Sequence, residues 1–342
     1  MKAAIFDPYL DTLGGGERYV LTFARVLKTH GWDVDVQWHD PSILQKIDER
    51  LNIGLDGIKV VENVHTGTGY DLIFWLSDGS IPALWSKKNI LHFQTPFLRV
   101  GGGSLLNRLK LKKISKVVCN SRFTKENIDK EFGTSSEILY PPVDVPKIKP
   151  LEKENIILYV GRFSKLQQEK RQDVLIDAFK QLCDGGLEGW KLVMIGGSNI
   201  GGEEFMRMLR EKARGYLIEI LENQPFAKVT ELYGKAKIFW SAAGFGVDEN
   251  IQPQKVEHFG ISTVEAMAAG CVPIVVNKGG YKEVVENGVD GFLWNDVGEL
   301  KSITLHLIKE ERRREEIAKN AERKSKEFSQ ERFEQEVLQH VV

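Results

Sequence analysis

The sequence predicts an α/β protein made of two Rossmann-like domains in tandem, each built on a parallel sheet. Three observations predict it. The chain has 342 residues, more than one hydrophobic core usually serves. Short apolar runs of strand type alternate with stretches of helical spacing, which is the signature of βαβ units. A proline-rich stretch, Pro141-Pro142-Val143-Asp144-Val145-Pro146, ending at Pro150, separates two such series. The expected domains are 1–145 and 151–328.

Taken in order, Ala3–Phe6 is a short buried-type strand followed by Gly14-Gly15-Gly16. From Glu17 to His30 the apolar residues Val20, Phe23, Ala24 and Leu27 fall three and four apart, and Gly31 closes the helix. Asp33–Trp38 alternates with period two, as a strand does, so its Asp33-Val34-Asp35 reads as strand and not as a metal-binding DxD. Further strands are expected at Leu72–Leu76, Asn89–Phe93 and Lys116–Cys119. After the linker come strand Ile156–Val160, helix Gln172–Cys183, strand Lys191–Ile195 and helix Glu203–Arg214. Strands Ile218–Leu221, Ile238–Trp240 and Val272–Val276 follow, and Val297–Val342 reads as charged helix.

Composition narrows the function. Hydrophobic content of 42%, charged content of 28% and a net charge of −1 describe an ordinary globular protein with no nucleic-acid signature. Cys119, Cys183 and Cys271 are odd in number and far apart, which fits a reducing compartment and neither a disulfide framework nor a zinc site. Asp7 interrupts the first apolar run too early for a signal peptide, and no apolar stretch reaches the length of a membrane span. A cytoplasmic location follows as the expectation. Charge is unevenly spread: no acidic residue stands between Asp78 and Glu126, where ten cations do. Within that stretch Leu105–Ile114 is basic and amphipathic, suited to an anionic membrane face. A helix that packs its leucines into the domain would give the same pattern.

The chemistry concentrates in Glu257-His258-Phe259-Gly260-Ile261-Ser262-Thr263-Val264-Glu265, which runs on to Gly270. Two carboxylates stand eight positions apart around a Phe-Gly turn. Free N–H groups at a helix start favour a phosphate, and flanking carboxylates accept from sugar hydroxyls. The segment therefore reads as a clamp for a sugar nucleotide. It reads equally as a capping box, with Ser262 at the N-cap and Glu265 three positions later. A second loop, Gly161-Arg162-Phe163, precedes Lys170 and Arg171. Arg162 and Lys170 can together stabilise a departing diphosphate, although two solvated cations would look the same. Lys165 competes for that role, and Lys170 is preferred because it opens the next helix. Gly14–Gly16 is a tight turn without the full GxGxxG spacing or a Walker lysine, and it lets backbone N–H groups approach a phosphate or an acceptor. His92, at a strand end before Gln94-Thr95-Pro96, is placed to face a cleft where ligands of such sheets bind. No metalloprotease, zinc-ribbon, P-loop or GxSxG motif is present.

These residues carry a family resemblance. Gly161-Arg162-Phe163 with Lys170, Glu257-His258-Phe259-Gly260 with Glu265–Gly270, Gly279–Val285 and Asn287–Leu293 together strongly resemble the retaining GT-B glycosyltransferases of family 4. The Glu-His-Phe-Gly-Ile variant is similar to its Alg11-type mannosyltransferase branch. The resemblance is specific over about 156–294 and looser before it.

It implies a GT-B fold, two Rossmann-like domains with parallel sheets facing a cleft, and a last helix near 329–342 packing back on the N-terminal domain. The N-terminal domain would bind the acceptor and the C-terminal one the nucleotide sugar. Arg162 and Lys170 would hold the diphosphate, Glu257 the donor sugar, and Glu265 the ribose. Gly260, Ile261, Ser262 and Thr263 would offer donors to sugar and phosphate, Gly15 and Gly16 would approach the diphosphate, and His92 would contact the donor sugar. No metal and no cofactor is needed; GDP-mannose or a UDP-sugar is the donor substrate. The product would be an α-linked hexose on a lipid-linked or glycan acceptor at the cytoplasmic membrane face. A sugar-nucleotide epimerase would share the architecture but need no acceptor. A non-catalytic subunit would share it too, but the intact set of Arg162, Lys170, Glu257 and Glu265 argues against lost catalysis.

Overall fold

The computed structural model describes residues 1–12, 14–163, 170–198 and 202–341. The chain forms two compact units, Met1–Pro142 with Gln330–Val342, and Val143–Ser329.

The first unit contains β1 (Lys2–Phe6), α1 (Gly15–Thr29), β2 (Asp33–Gln37), α2 (Ile43–Leu51), β3 (Lys59–Val61), β4 (Leu72–Leu76), β5 (Lys88–Phe93), α3 (Leu105–Leu111), β6 (Lys116–Cys119), α4 (Arg122–Phe132) and β7 (Glu137–Ile138). Its strands make one parallel sheet in the order β3-β2-β1-β4-β5-β6-β7. The apolar face of α1 supplies Tyr19, Val20, Phe23 and Leu27 to the main core, against Ile5, Val34 and Phe74. Asp35 is spent on the structure of β2, where its carboxylate accepts from Lys2 Nζ at 2.9 Å and from Tyr70 Oη at 2.8 Å.

The second unit contains β8 (Glu154–Val160), α5 (Gln172–Asp184), β9 (Lys191–Gly196), α6 (Glu203–Ala213), β10 (Ile218–Glu222), α7 (Phe226–Lys235), β11 (Ala236–Ser241), α8 (Ile261–Ala268), β12 (Val272–Val276), α9 (Tyr281–Val284), β13 (Phe292–Trp294), α10 (Val297–Lys309) and α11 (Glu311–Ser325). Its parallel sheet runs β10-β9-β8-β11-β12-β13. The strand order reverses between β8 and β11, and the loops leaving those two strands are where a doubly wound sheet binds ligands.

The last helix, α12 (Gln330–Glu336), belongs to the first unit and continues as one wide turn over Val337–Val341. Phe333 and Val337 enter that unit's core, the Phe333 ring meeting Tyr19 edge-on at 5.1 Å.

Long, strongly periodic segments fold as their spacing predicts. The helix expected over Leu105–Ile114 is shorter, α3 ending at Leu111. Leu111 packs against a core cluster, but Leu105, Leu106 and Leu109 do not pack inward and are 76%, 62% and 53% exposed. No described helix is long and apolar enough to cross a membrane.

Candidate active site

The loop after β8 and the loop after β11 carry the functional side chains. Gly161 and Phe163 extend the edge of β8 along β9, with Gly161 N–H donating to the Ile195 carbonyl at 3.0 Å and Phe163 N–H to that of Gly197 at 2.8 Å. Phe163 is buried, so Arg162 is turned outward and exposed. Its backbone is pinned from below. Gln172, the first residue of α5 and wholly buried, donates from Nε2 to the Arg162 carbonyl at 2.8 Å and to Tyr159 Oη at 3.0 Å. The Arg162 guanidinium makes no hydrogen bond or ion pair among the described residues.

Lys170 and Glu257 meet. Lys170 Nζ donates to Glu257 Oε2 at 2.7 Å, with the two side chains only 16% and 14% exposed. Burial raises the Glu257 carboxyl, but the charge and hydrogen bond of Lys170 outweigh it, and the group lies below the ordinary glutamate range. The backbone on the other side of Glu257 is fixed by a close approach. Gly280 N–H donates to the Glu257 carbonyl at 2.8 Å, and a Cβ on Gly279 would stand 2.1 Å from that oxygen. Only a Gly-Gly pair lets the chain after β12 pass this closely. Tyr281, the next residue, is buried, and its hydroxyl lies 2.5 Å from Ser241 Oγ at the end of β11.

The start of α8 corrects the capping-box reading. Gly260, at φ 105°, is the N-cap, and Ser262 lies inside the helix. A left-handed cap is glycine's territory, so the pattern Ser-x-x-Glu is satisfied in sequence without forming the reciprocal bonds. Gly260 accepts from Thr263 and Val264 N–H, while the N–H groups of Ile261 and Ser262 have no acceptor among the described residues. Thr263 Oγ1 is buried and likewise without a partner among them. Glu265 is held from the side, its Oε2 accepting from Tyr233 Oη of α7 at 2.9 Å. The second unit thus brings together one paired and one unpaired cation, two oriented carboxylates and a helix start with open donors. Such a set has the chemistry to hold an anion flanked by hydroxyls. Lys165 lies outside the described residues.

In the first unit, Gly14 is the N-cap of α1, and its N–H donates to Glu17 Oε2 at 2.5 Å. Gly15 and Gly16 occupy the first two helical positions, where N–H groups have no partner within the helix. Glu17 already supplies a negative charge there. Asp7, just beyond β1, is buried; its Oδ1 accepts from Tyr9 N–H at 2.8 Å and its Oδ2 has no partner among the described residues. Burial, then repulsion from Glu17, pushes the Asp7 carboxyl up to about 7.

His92 is a correction. It lies at a strand end as expected, but it is fully buried, not open to a ligand. Its ring stacks on Tyr19 at 4.2 Å, and Nδ1 bonds the Val118 carbonyl at 3.1 Å. Burial lowers its pKa to about 3, so the imidazole is neutral and Nδ1 carries the proton. The reason is period two: on β5, His92 points to the face that α1 covers.

Sequence reasoning missed the supporting residues Gln172, Tyr233, Ser241 and Tyr281. Tyr281 alone left a signal, standing directly after Gly279-Gly280.

Comparisons with known proteins bear on the family and the fold. The family described as "Glycosyl transferases group 1" matches residues 143–324. The GDP-Man:Man(3)GlcNAc(2)-PP-Dol alpha-1,2-mannosyltransferase of Mus musculus is 28% identical over 96% of this chain and 63% of its own length. The human enzyme of the same description is 26% identical over 98% of this chain and 65% of its own. The chain therefore spans just under two thirds of the length of these mannosyltransferases. Among solved structures, Anabaena HepE in complex with UDP superposes with a TM-score of 0.79 at 18% identity, covering 100% of this chain and 99% of that one. Sucrose-phosphate synthase from Thermosynechococcus elongatus superposes with a TM-score of 0.75 at 16% identity, covering 99% and 98%. These structures share the fold, two Rossmann-like domains of the GT-B type.

Proposed function

Because the chain belongs to the glycosyl transferases group 1 family, we propose that it moves a hexose, mannose or glucose, from a nucleotide sugar to a hydroxyl of a lipid-linked or glycan acceptor, with retention of the α configuration. Transfer from a nucleotide sugar, a substrate and not a resident cofactor, is the family's chemistry. The observation that carries the finer reading is the Lys170–Glu257 pair beside the open N–H groups of α8.

In this reading the second unit binds the donor. Arg162 and Lys170 take the diphosphate, where an Arg fork and a Lys point charge offset the charge growing on the leaving group. The N–H groups of Ile261 and Ser262, with the α8 dipole behind them, take the phosphate nearest the helix. Gly260 and Thr263 shape that turn. Glu257 accepts from the donor sugar's hydroxyls and Glu265 from those of the ribose. The departing phosphate oxygen receives the acceptor's proton on the same face of the sugar, so no enzyme nucleophile is needed. The first unit receives the acceptor, and its Gly15 and Gly16 N–H groups are backbone donors to the diphosphate. Exposed Leu105, Leu106 and Leu109 among Arg108, Lys110, Lys112 and Lys113 favour peripheral contact with an anionic, cytoplasmic membrane face.

The test is thermal stabilisation by GDP, UDP, ADP and their mannose, glucose and N-acetylglucosamine conjugates. A ligand at 100 times its Kd stabilises by about 2.7 kcal/mol. A shift confined to one base names the donor, and no shift with any of them rejects the donor site.

A further inference from the structure

The ion pair with Lys170 orients Glu257 only until a diphosphate takes Lys170. The carboxylate then needs another partner to stay turned toward the sugar, and the residues packed around it supply one.

Two buried tyrosines feel the charge of Glu257, Tyr159 of β8 and Tyr281 of α9. Burial first, and that charge next, raises the pKa of both hydroxyls, so each keeps its proton and can donate. Glu257 acts on Tyr159 by charge alone and on Tyr281 by charge and hydrogen bonding. Tyr159 Oη is already engaged with Gln172 Nε2, from which it accepts at 3.0 Å. Tyr281 Oη lies 2.5 Å from Ser241 Oγ at the end of β11. In such a pair of hydroxyls one donates and the other accepts. A carboxylate is a stronger acceptor than a hydroxyl, so the Tyr281 proton goes to Glu257 and the Ser241 proton to Tyr281.

The Tyr281 side chain is fixed at both ends. Gly280 before it passes so close to the chain after Glu257 that a Cβ there would stand 2.3 Å from the His258 carbonyl oxygen. The Tyr281 ring lies against Gly260, the cap of α8, where an added Cβ would stand 2.9 Å from it. Ring and hydroxyl thus have separate tasks, the first at the start of α8 and the second at Glu257.

We propose that Tyr281 is a positioning residue for the donor sugar: its hydroxyl, oriented by Ser241, holds the Glu257 carboxylate in place once Lys170 is engaged elsewhere. The proposal rests on the sugar-transfer reading, in which Glu257 accepts from the sugar's hydroxyls and Lys170 binds phosphate. The tyrosine hydroxyl then serves the sugar and not the nucleotide.

Isothermal titration calorimetry on the full chain tests this, with GDP, GDP-mannose, UDP and UDP-glucose as ligands. For the pair that the wild type binds, Tyr281→Phe should weaken the nucleotide sugar about tenfold and change the nucleoside diphosphate by less than about twofold, as one lost hydrogen bond to a charged group would. Ser241→Ala should show the same split by itself. In the double variant it should add little to Tyr281→Phe, because both act through one chain of hydrogen bonds. Unchanged binding of the nucleotide sugar in Tyr281→Phe overturns the assignment. Equal weakening of both ligands overturns it too, since lost packing at α8 would give that result, and so does full additivity in the double variant. If the wild type binds none of the four ligands, the donor-site reading falls and takes this proposal with it. If it binds a pair and the variants keep full affinity, the Tyr281 assignment alone is rejected.

Discussion

Lys170 and Glu257 neutralise each other in an ion pair of 2.7 Å, which the proposed reading has a phosphate and a sugar pull apart. Lys170→Met should lower kcat by about 10²–10³, the usual loss when one preorganised electrostatic donor is removed. It should also move the acidic limb of the pH–rate profile upward, because burial of Glu257, the largest influence on it, is then opposed only by smaller effects such as those of His258. Initial rates from pH 4 to 8 check both, and an unmoved limb would detach Glu257 from the reaction. Asp7 gives a prediction of opposite kind. Its folded pKa of about 7 lies above the ordinary 3.8, so its contribution is intact below about pH 4 and is lost as pH rises through 7. Asp7→Asn should leave the melting temperature unchanged at pH 4 and raise it at pH 8; equal melting curves at pH 8 would mean that the carboxyl is not strained. At this scale the sequence was legible where chemistry and position coincide. Glu257 and Lys170 share a site because both follow strands next to the switch in strand order. It was not legible where a side chain's face matters: the alternation of β5 cannot say which side α1 covers, and His92 fell on that side.

Element by element, legibility followed length. Leu72–Leu76, Lys116–Cys119 and Val272–Val276 were readable to the residue, whereas three-residue β3 and β13 carry too little pattern to stand out. Helix α4 was missed although its ends are marked, by Ser121 accepting from Thr124 N–H at 3.0 Å and by Gly133 at φ 63°. Two buried apolar residues after its first turn, Ile128 and Phe132, made its face too narrow to notice. The start of α8 depends on Gly260, where a Cβ would stand 2.9 Å from the Tyr281 ring. Gly260→Ala should cost about 1–3 kcal/mol of stability and weaken nucleotide binding. Chemical denaturation measures it, and wild-type stability would remove the strained cap from the account. For α3, three exposed leucines within a run of cations predict binding to vesicles containing anionic phosphatidylserine. Replacing Lys110, Lys112 and Lys113 with glutamine should release the protein into the supernatant, at roughly 1 kcal/mol per charge; co-sedimentation unchanged by those substitutions would argue against membrane contact.

At the scale of the whole molecule, the tandem α/β organisation was visible from alternating strands and helices and from the prolines around 141–150. How the two units share the chain was less visible in composition, because α11 and α12 read as one charged helical stretch. Yet the second unit ends at Ser329, and the residues after it complete the first. The first unit is therefore interrupted by the second in the course of the chain. Its strands and α1 leave the ribosome before the second unit, but Phe333 and Val337, which close the core over Tyr19, emerge only after it. During synthesis that core waits, partly uncovered, through nearly 190 intervening residues (143–329), while the second unit has all its own parts and can fold at once. A chain whose synthesis stalls just after Ser329 would thus carry a finished second unit and an unfinished first one, and chaperones would meet it at the hydrophobic slot left open for α12.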